Sequence, residues 1–130
     1  MSTKHSEQYE RGLELLRRID GAAGEAVVNV LGKAFPDLAE IMVSHAFGEV
    51  YSRPGLSLRD RELITLGALA ALGNARPQLK VHLHAALNVG LTEDEIRELM
   101  LHISVYAGYP AALNGLFAAQ EVFEEREEEG

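Results

Sequence analysis

Residues 79–96 read LKVHLHAALNVGLTEDEI, and this stretch predicts two consecutive α-helices joined by a tight turn. Sustained alternation of apolar and polar residues, the mark of a strand, is absent from it. Gly90 is a typical helix-ending residue. The segment from Thr92 to Glu95 has the pattern of a capping box, in which the two end side chains satisfy backbone N–H groups at the start of a helix. The stretch therefore predicts an all-α fold.

The same helical periodicity extends to both sides of this stretch. Further helices are predicted for residues 6–19, 25–34, 36–51, 57–72 and 110 onward. Gly21, Gly24, the turn 52–55, Gly73 and Gly108 separate them. The last helix runs into an acidic tail from about residue 124, which we expect to be solvated and partly disordered. The sequence therefore predicts a multihelical domain of about six to seven helices.

The length of 130 residues and the formal charge of −8 limit the classes of protein to consider. We expect one domain, residues 1–130. The acidic balance argues against nucleic acid and against an anionic membrane surface, since both attract clustered Lys and Arg. The polar N-terminus lacks the apolar core of a secretory signal, and the longest mostly apolar run, residues 63–73, is far shorter than the ~20 residues that span a bilayer. The expected location is the cytoplasm.

The chain contains no cysteine. A disulfide, a thiolate nucleophile, a zinc site with Cys ligands and an iron–sulfur cluster are therefore excluded.

Histidines are the first candidates for chemistry. His5 lies in a polar stretch and is expected to be inert, whereas His102 is interpreted as a core or interface residue. His82 and His84 resemble a metal pair, but side chains two apart on a helix point about 200° away from each other and cannot chelate one ion. We therefore predict no metal site. His82 shares a face with small apolar residues and is expected to point inward, with His84 at the edge.

Glu62 is the second unusual residue, because it shares a helix face with Leu66 and Leu69. A carboxylate on such a face must be paired, protonated or open to a cavity. The alternative is a surface glutamate bridged to Arg59 or Arg61.

Arg53, Arg59 and Arg61 cluster around a turn in an otherwise acidic chain. Solubility and helix capping are one interpretation. The functional interpretation is an anion clamp, because guanidinium groups match carboxylates in bidentate geometry.

Four strings, in this order, resemble the carboxymuconolactone decarboxylase family. They are HAFGEVYSRPGL (residues 45–56), RELITL (61–66), LKVHLHAALNVGLTEDEI (79–96) and VYAGYPAALN (105–114). The resemblance implies the all-α, alkylhydroperoxidase D-like fold and assembly into a homo-oligomer, a trimer or a hexamer.

The thiol peroxidases related to this family use a Glu, a C-x-x-C pair and a His as a proton relay. Glu62 and His82 correspond to the two ends of that relay, but the loop between them, residues 73–77, has no thiol. The resemblance therefore does not extend to peroxidase activity, in which sulfur is the reagent.

The resemblance implies a lyase that converts 4-carboxymuconolactone to the 3-oxoadipate enol-lactone and CO2 in protocatechuate degradation, the β-ketoadipate pathway, with no cofactor. It implies His82 as proton donor or oxyanion partner and Glu62 as the group that orients it. The substrate-binding candidates for this small anionic lactone are Arg53, Arg59, Arg61, His84 and His45. The alternatives are a lactone hydrolase or isomerase, and a non-catalytic helical oligomer that binds a small ligand or a partner protein.

The segment from Leu99 to Phe117 gives a separate reason to expect an oligomer. It is apolar on more than one face, through Leu101, Ile103, Val105, Tyr106, Leu113 and Leu116. A monomer would expose part of this segment as a patch, and such patches usually mark interfaces.

Overall fold

The computed structural model describes residues 5–130, and every regular element within that range is helical. The elements in chain order are α1 (Glu7–Ala34), α2 (Pro36–Met42), a π-helix (Val43–Tyr51), α3 (Leu58–Leu72), α4 (Arg76–Asn88), α5 (Glu93–Ala107) and α6 (Tyr109–Glu129). The predicted all-α class is confirmed. Of the helices in residues 5–130, none combines the length and the apolar character needed to cross a membrane.

The chain divides into two compact units, a first unit that ends at Leu58 and a second unit that comprises Arg59–Gly130. The expectation of a single domain stays a prediction.

The first unit contains α1, α2 and the π-helix. The predicted break at Gly21 is a kink within α1, where the backbone adopts a φ of 62° that favours glycine. Gly24 was also predicted to break the helix, and this was wrong, because it lies buried within the continuing helix. The segment after Pro36 reaches Tyr51 as predicted, but its second part is a π-helix.

Glycines allow α1 and the π-helix to pack with their backbones in contact. A Cβ atom added to Gly12 would lie 2.2 Å from the carbonyl oxygen of Val43, and one added to Gly48 would lie 2.3 Å from that of Gln8. The Gln8 side chain adds a hydrogen bond of 2.7 Å to the Ser44 carbonyl. Small residues at these two positions therefore set the distance between the helices.

The second unit has one hydrophobic core, to which all four of its helices contribute. Its buried side chains are Leu66, Ala70, Leu79, Leu83, Ala86, Leu91, Ile96, Met100, Ala118, Ala119, Val122 and Phe123. The capping box predicted at the start of α5 is present, with both the Thr92 and the Glu95 side chains bonded to backbone N–H groups.

The acidic tail is helical as far as Glu129, so the prediction of partial disorder was wrong. Val122 and Phe123 are buried at its base, and Glu125 accepts a hydrogen bond of 2.7 Å from Lys80 of α4. These contacts continue α6 past the point where its composition becomes highly charged. Composition alone could not reveal them, because the partners lie on another helix.

An apolar surface, made of Leu101, Val105, Tyr106, Tyr109, Leu113 and Phe117, spans the end of α5 and the first half of α6. The exposed fraction of these residues ranges from 47% at Leu113 to 79% at Tyr106. Ile103 and Leu116, from the same segment, instead pack against the core. His102 is exposed and its ring lies 5.3 Å from that of Tyr106, so it is not a core residue, and its interpretation as an interface residue stays a prediction.

Candidate functional site

The central feature of the second unit is a hydrogen bond between Glu62 of α3 and His82 of α4. The Nδ1 atom of His82 lies 3.0 Å from Oε2 and 3.3 Å from Oε1 of the carboxylate. The side chain of Glu62 is fully buried, whereas that of His82 is 18% exposed. The interpretation of Glu62 as a surface residue bridged to an arginine was therefore wrong.

The helical repeat explains why both side chains point inward. Glu62 lies one turn before Leu66 and two turns before Ala70, and both are buried in the core. His82 lies next to the buried Leu83 and one turn before the buried Ala86. Each polar side chain is thus placed by the apolar residues of its own helix, and each satisfies the other's hydrogen-bonding group.

The hydrogen bond to Glu62 gives the two imidazole nitrogens of His82 different roles. With Glu62 ionised, the Nδ1–H group of His82 donates to the carboxylate and the ring is held in one orientation. The second nitrogen, Nε2, then accepts a proton when the ring is neutral and donates one when it is an imidazolium. The arrangement can therefore deliver or accept one proton at Nε2.

His84 makes different contacts, which tie α4 to the end of α6. Its Nε2 atom lies 3.1 Å from Oε2 of Glu125, and its Nδ1 atom lies 3.3 Å from Nη1 of Arg126. Because a guanidinium group only donates, Nδ1 accepts and Nε2 carries the proton that bonds to Glu125. His84 thus lies in a structural network, and whether it also binds substrate stays a prediction.

Glu125 is shared between His84 and Lys80, and this sharing affects its titration. The hydrogen bonds from Lys80 and then His84 hold the pKa of Glu125 below its ordinary value. The same bond to Glu125 raises the pKa of Lys80. Both groups are therefore held in their charged forms over a wider pH range than in a free chain.

The side chains of His82 and His84 do not point to a common site, in agreement with the helical repeat. Each contacts a different carboxylate.

The three arginines of the predicted anion clamp belong to different units of the chain. Arg59 forms an ion pair with Glu95 of α5. Arg61 is half-buried on α3, where its carbonyl accepts a hydrogen bond from Thr65. Arg53 belongs to the first unit and lines a cleft there.

His45 is exposed on the π-helix, and its Nδ1 atom lies 3.4 Å from Oε2 of Glu49, one turn away. Whether His45 also binds substrate stays a prediction.

The cleft of the first unit brings Arg53 together with Arg11 and Arg18 of α1, in a volume of about 500 Å³. The two arginines of α1 were not among the site residues predicted from the sequence. A signal was present, since residues seven apart lie on the same face of a helix after two turns. It was hidden because arginines on a surface helix are common and because Arg53 is distant in the sequence.

Comparison with known proteins identifies relatives along nearly the whole chain. Residues 36–121 match the sequence profile of the Carboxymuconolactone decarboxylase family. The chain is 40% identical over 123 residues to a 4-carboxymuconolactone decarboxylase of Acinetobacter baylyi, which covers 92% of this chain and 89% of that protein. It is 33% identical over 129 residues to a nitrosuccinic acid decarboxylase of Metarhizium robertsii, covering 97% and 88% of the two chains. An uncharacterized 15.0 kDa protein of Paracoccus denitrificans is 32% identical over 124 residues, covering 95% and 92%.

Proposed function

This chain belongs to the carboxymuconolactone decarboxylase family, and on that premise we propose that it decarboxylates 4-carboxymuconolactone or a related activated acid without a cofactor. The observation that carries the proposal is the fully buried carboxylate of Glu62, bonded to the partly exposed imidazole of His82. A buried, ionised group is costly unless it is paired, and the pair delivers a proton at a place that solvent reaches only partly.

The names of two relatives support decarboxylation and suggest what their substrates share. One acts on carboxymuconolactone and the other on nitrosuccinic acid. In the first compound the departing carboxylate is attached to the carbon next to a C=C bond that is conjugated with the lactone carbonyl, and in the second it is attached to the carbon that bears the nitro group. Each substrate thus carries its own acceptor for the electrons that CO2 leaves behind. The substrate class we propose is therefore an acid with a built-in electron sink.

The reaction then needs two steps. The bond between carbon and the carboxylate breaks, CO2 leaves, and the electron pair moves through C=C to the lactone carbonyl to form a dienolate. His82, as an imidazolium, donates the Nε2 proton to carbon and becomes neutral, and solvent restores its proton. Correctly placed acid–base catalysis contributes about 10²–10⁴-fold in rate. Glu62 is a positioning residue, since it acts through His82.

The experiment is CO2 release from 4-carboxymuconolactone and from nitrosuccinate, measured with the purified protein and two variants. We expect His82→Ala to lower kcat by about 10²–10⁴-fold. The matched control is His5→Ala, an exposed histidine that pairs with Glu40 in the first unit and should retain full activity.

Full activity of His82→Ala would refute the site. The absence of CO2 from both acids would refute the function, and product analysis that showed a hydrolysed or isomerised lactone with no CO2 would favour the hydrolase or isomerase.

A further inference from the structure

The cleft of the first unit lies between one face of α1 and the segment that follows the π-helix. Arg11 and Arg18 project from α1, and Arg53 lies just after the end of the π-helix at Tyr51. Its volume of about 500 Å³ falls within the range of sites for small organic molecules.

The charge of this cleft is opposite to that of the chain. Three guanidinium groups line it against one carboxylate, that of Glu14, so the lining has an excess of two positive charges. The chain as a whole has a formal charge of −8. Like charges gathered in a concave surface repel one another, and an anion of matching charge relieves that repulsion.

Arg11 is held in place by the protein itself. Its Nε and Nη2 atoms donate to the carbonyl oxygen of Gly48, at 3.1 and 3.0 Å. That carbonyl also accepts a hydrogen bond of 2.8 Å from the Ser52 hydroxyl. These bonds use part of the guanidinium group and fix its plane, so a ligand that binds to the remaining N–H groups loses little side-chain entropy.

Arg18 has no comparable structural contact. Within the part of the chain that the structure describes, residues 5–130, none of the ion pairs includes it, although its neighbour Arg17 pairs with Glu25. Glu14 lies one turn before Arg18 on the same helix and still forms no ion pair with it in that range. An exposed guanidinium at the rim of a positively charged cleft is available to an incoming anion.

The remaining walls are largely apolar, from Leu15, Pro54, Leu56 and Leu58. Such walls favour an anion with a carbon skeleton over an inorganic anion. We propose that this cleft is a binding site for a small organic dicarboxylate, held by Arg11, Arg18 and Arg53. The site belongs to the first unit alone and does not depend on the reaction proposed for Glu62 and His82.

The test is isothermal titration calorimetry of the full chain with adipate, a six-carbon dicarboxylate. It is performed in the His82→Ala variant, so that binding is measured independently of turnover. We expect Arg18→Gln and Arg53→Gln, each added to that variant, to weaken adipate binding by about tenfold or more, the low end for loss of a charge-assisted hydrogen bond.

The matched control is Arg17→Gln, which removes the same charge from the next position of α1 and should leave the affinity unchanged within about twofold. Dimethyl adipate and inorganic phosphate should each bind at least about tenfold more weakly than adipate. The ester lacks the negative charge that the arginines bind, and phosphate lacks the carbon skeleton that the apolar walls favour.

Three results would overturn the proposal. The first is adipate affinity that is unchanged in both arginine variants. The second is equal affinity for the neutral ester or for phosphate. The third is loss of adipate binding through His82→Ala itself. A failed decarboxylation assay would leave this proposal unaffected, since the measurement involves no turnover.

Discussion

The Nδ1 atom of His82 lies 3.0 Å from Oε2 of Glu62, and the carboxylate is fully buried while the imidazole is 18% exposed. Only one end of this pair can therefore meet solvent or substrate. In the reaction proposed above, the exposed end of the pair is where His82 delivers its proton. The first prediction tests this division of roles.

Replacing Glu62 with Gln removes the negative charge and keeps the size of the side chain. We expect kcat for decarboxylation to fall by about a hundredfold with little change in KM, because the imidazole loses the charge-assisted hydrogen bond that orients its ring. The measurement is steady-state kinetics, with kcat and KM determined separately.

The control for this variant is Glu98→Gln, an exposed position on α5. Circular dichroism shows whether the Glu62 variant is folded. A folded variant with an unchanged kcat, or one in which only KM changes, would contradict the role assigned to Glu62.

The second prediction concerns pH and the contacts between α4 and α6. The bonds from Lys80 and His84 lower the pKa of Glu125 from its ordinary value of 4.5. Their stabilising contribution is therefore fully present above pH 4.5 and is lost as the pH falls through the lower folded-state pKa. Glu125→Gln should lower the free energy of unfolding at pH 7, and the two proteins should converge below pH 4.5. Urea unfolding across this range measures both.

The matched control is Glu128→Gln, an exposed position on the same helix, which should behave like the parent chain. At alkaline pH the contribution of Lys80 to stability changes with pH in the opposite direction. Lys80 has a pKa raised above 10.5, so its contribution is present below that pH and is lost as the pH rises through the folded-state value. A constant difference between parent and Glu125 variant from pH 3 to 7 would refute the linkage.

The third prediction tests the close packing of the first unit. Gly12→Ala should lower the free energy of unfolding by roughly 1–3 kcal/mol, because the new Cβ would lie 2.2 Å from the backbone oxygen of Val43. Gly32→Ala, also within α1, is the control. Nothing lies within 4 Å of a Cβ there, so it should be neutral or stabilising by up to about 1 kcal/mol. Denaturant unfolding followed by circular dichroism distinguishes the two, and equal stabilities would show that the helices can separate at little cost.

The fourth prediction is that the chain is a homo-oligomer, a trimer or a hexamer, in which the apolar surface of α5 and α6 is covered. Val105, on that surface, is 73% exposed. Val105→Glu should therefore shift the mass in sedimentation equilibrium towards the 14.2 kDa of one chain, because a charge would be desolvated in the interface. Gln78→Glu, which adds the same charge to an exposed position on α4, should not. A parent protein that sediments as a stable, active monomer would refute the prediction.

The fifth prediction is that the purified protein holds no stoichiometric transition metal. His82 and His84 contact different carboxylates, and the reaction proposed here relies on the electron sink of the substrate. Elemental analysis should find far less than one zinc or iron ion per chain. One ion per chain, with activity that is lost on chelation and restored by the metal, would replace the cofactor-free mechanism.

Local features of this protein could be predicted from the sequence because their causes lie within a few residues. The all-α class follows from a repeat with neighbours three and four positions apart, and the capping box at Thr92 joins residues three apart. Gly73, Gly90 and Gly108 were predicted to end helices, and each has a positive φ. The absence of cysteine excluded thiol chemistry without any structure.

Partners that are distant in the sequence were decided by the tertiary structure alone. Periodicity left Glu62 either buried or at the surface, and only the packing of α3 placed its carboxylate against His82, 20 residues away. Arg59 lies two positions before Arg61 in the sequence but pairs with Glu95, 36 residues away. No partner for the acidic tail could be predicted from the sequence, whereas in the structure Glu125 accepts a hydrogen bond from Lys80. The physical reason is common to all three. A helical repeat determines which face a side chain occupies, whereas the element that packs against that face depends on how the helices are arranged in three dimensions.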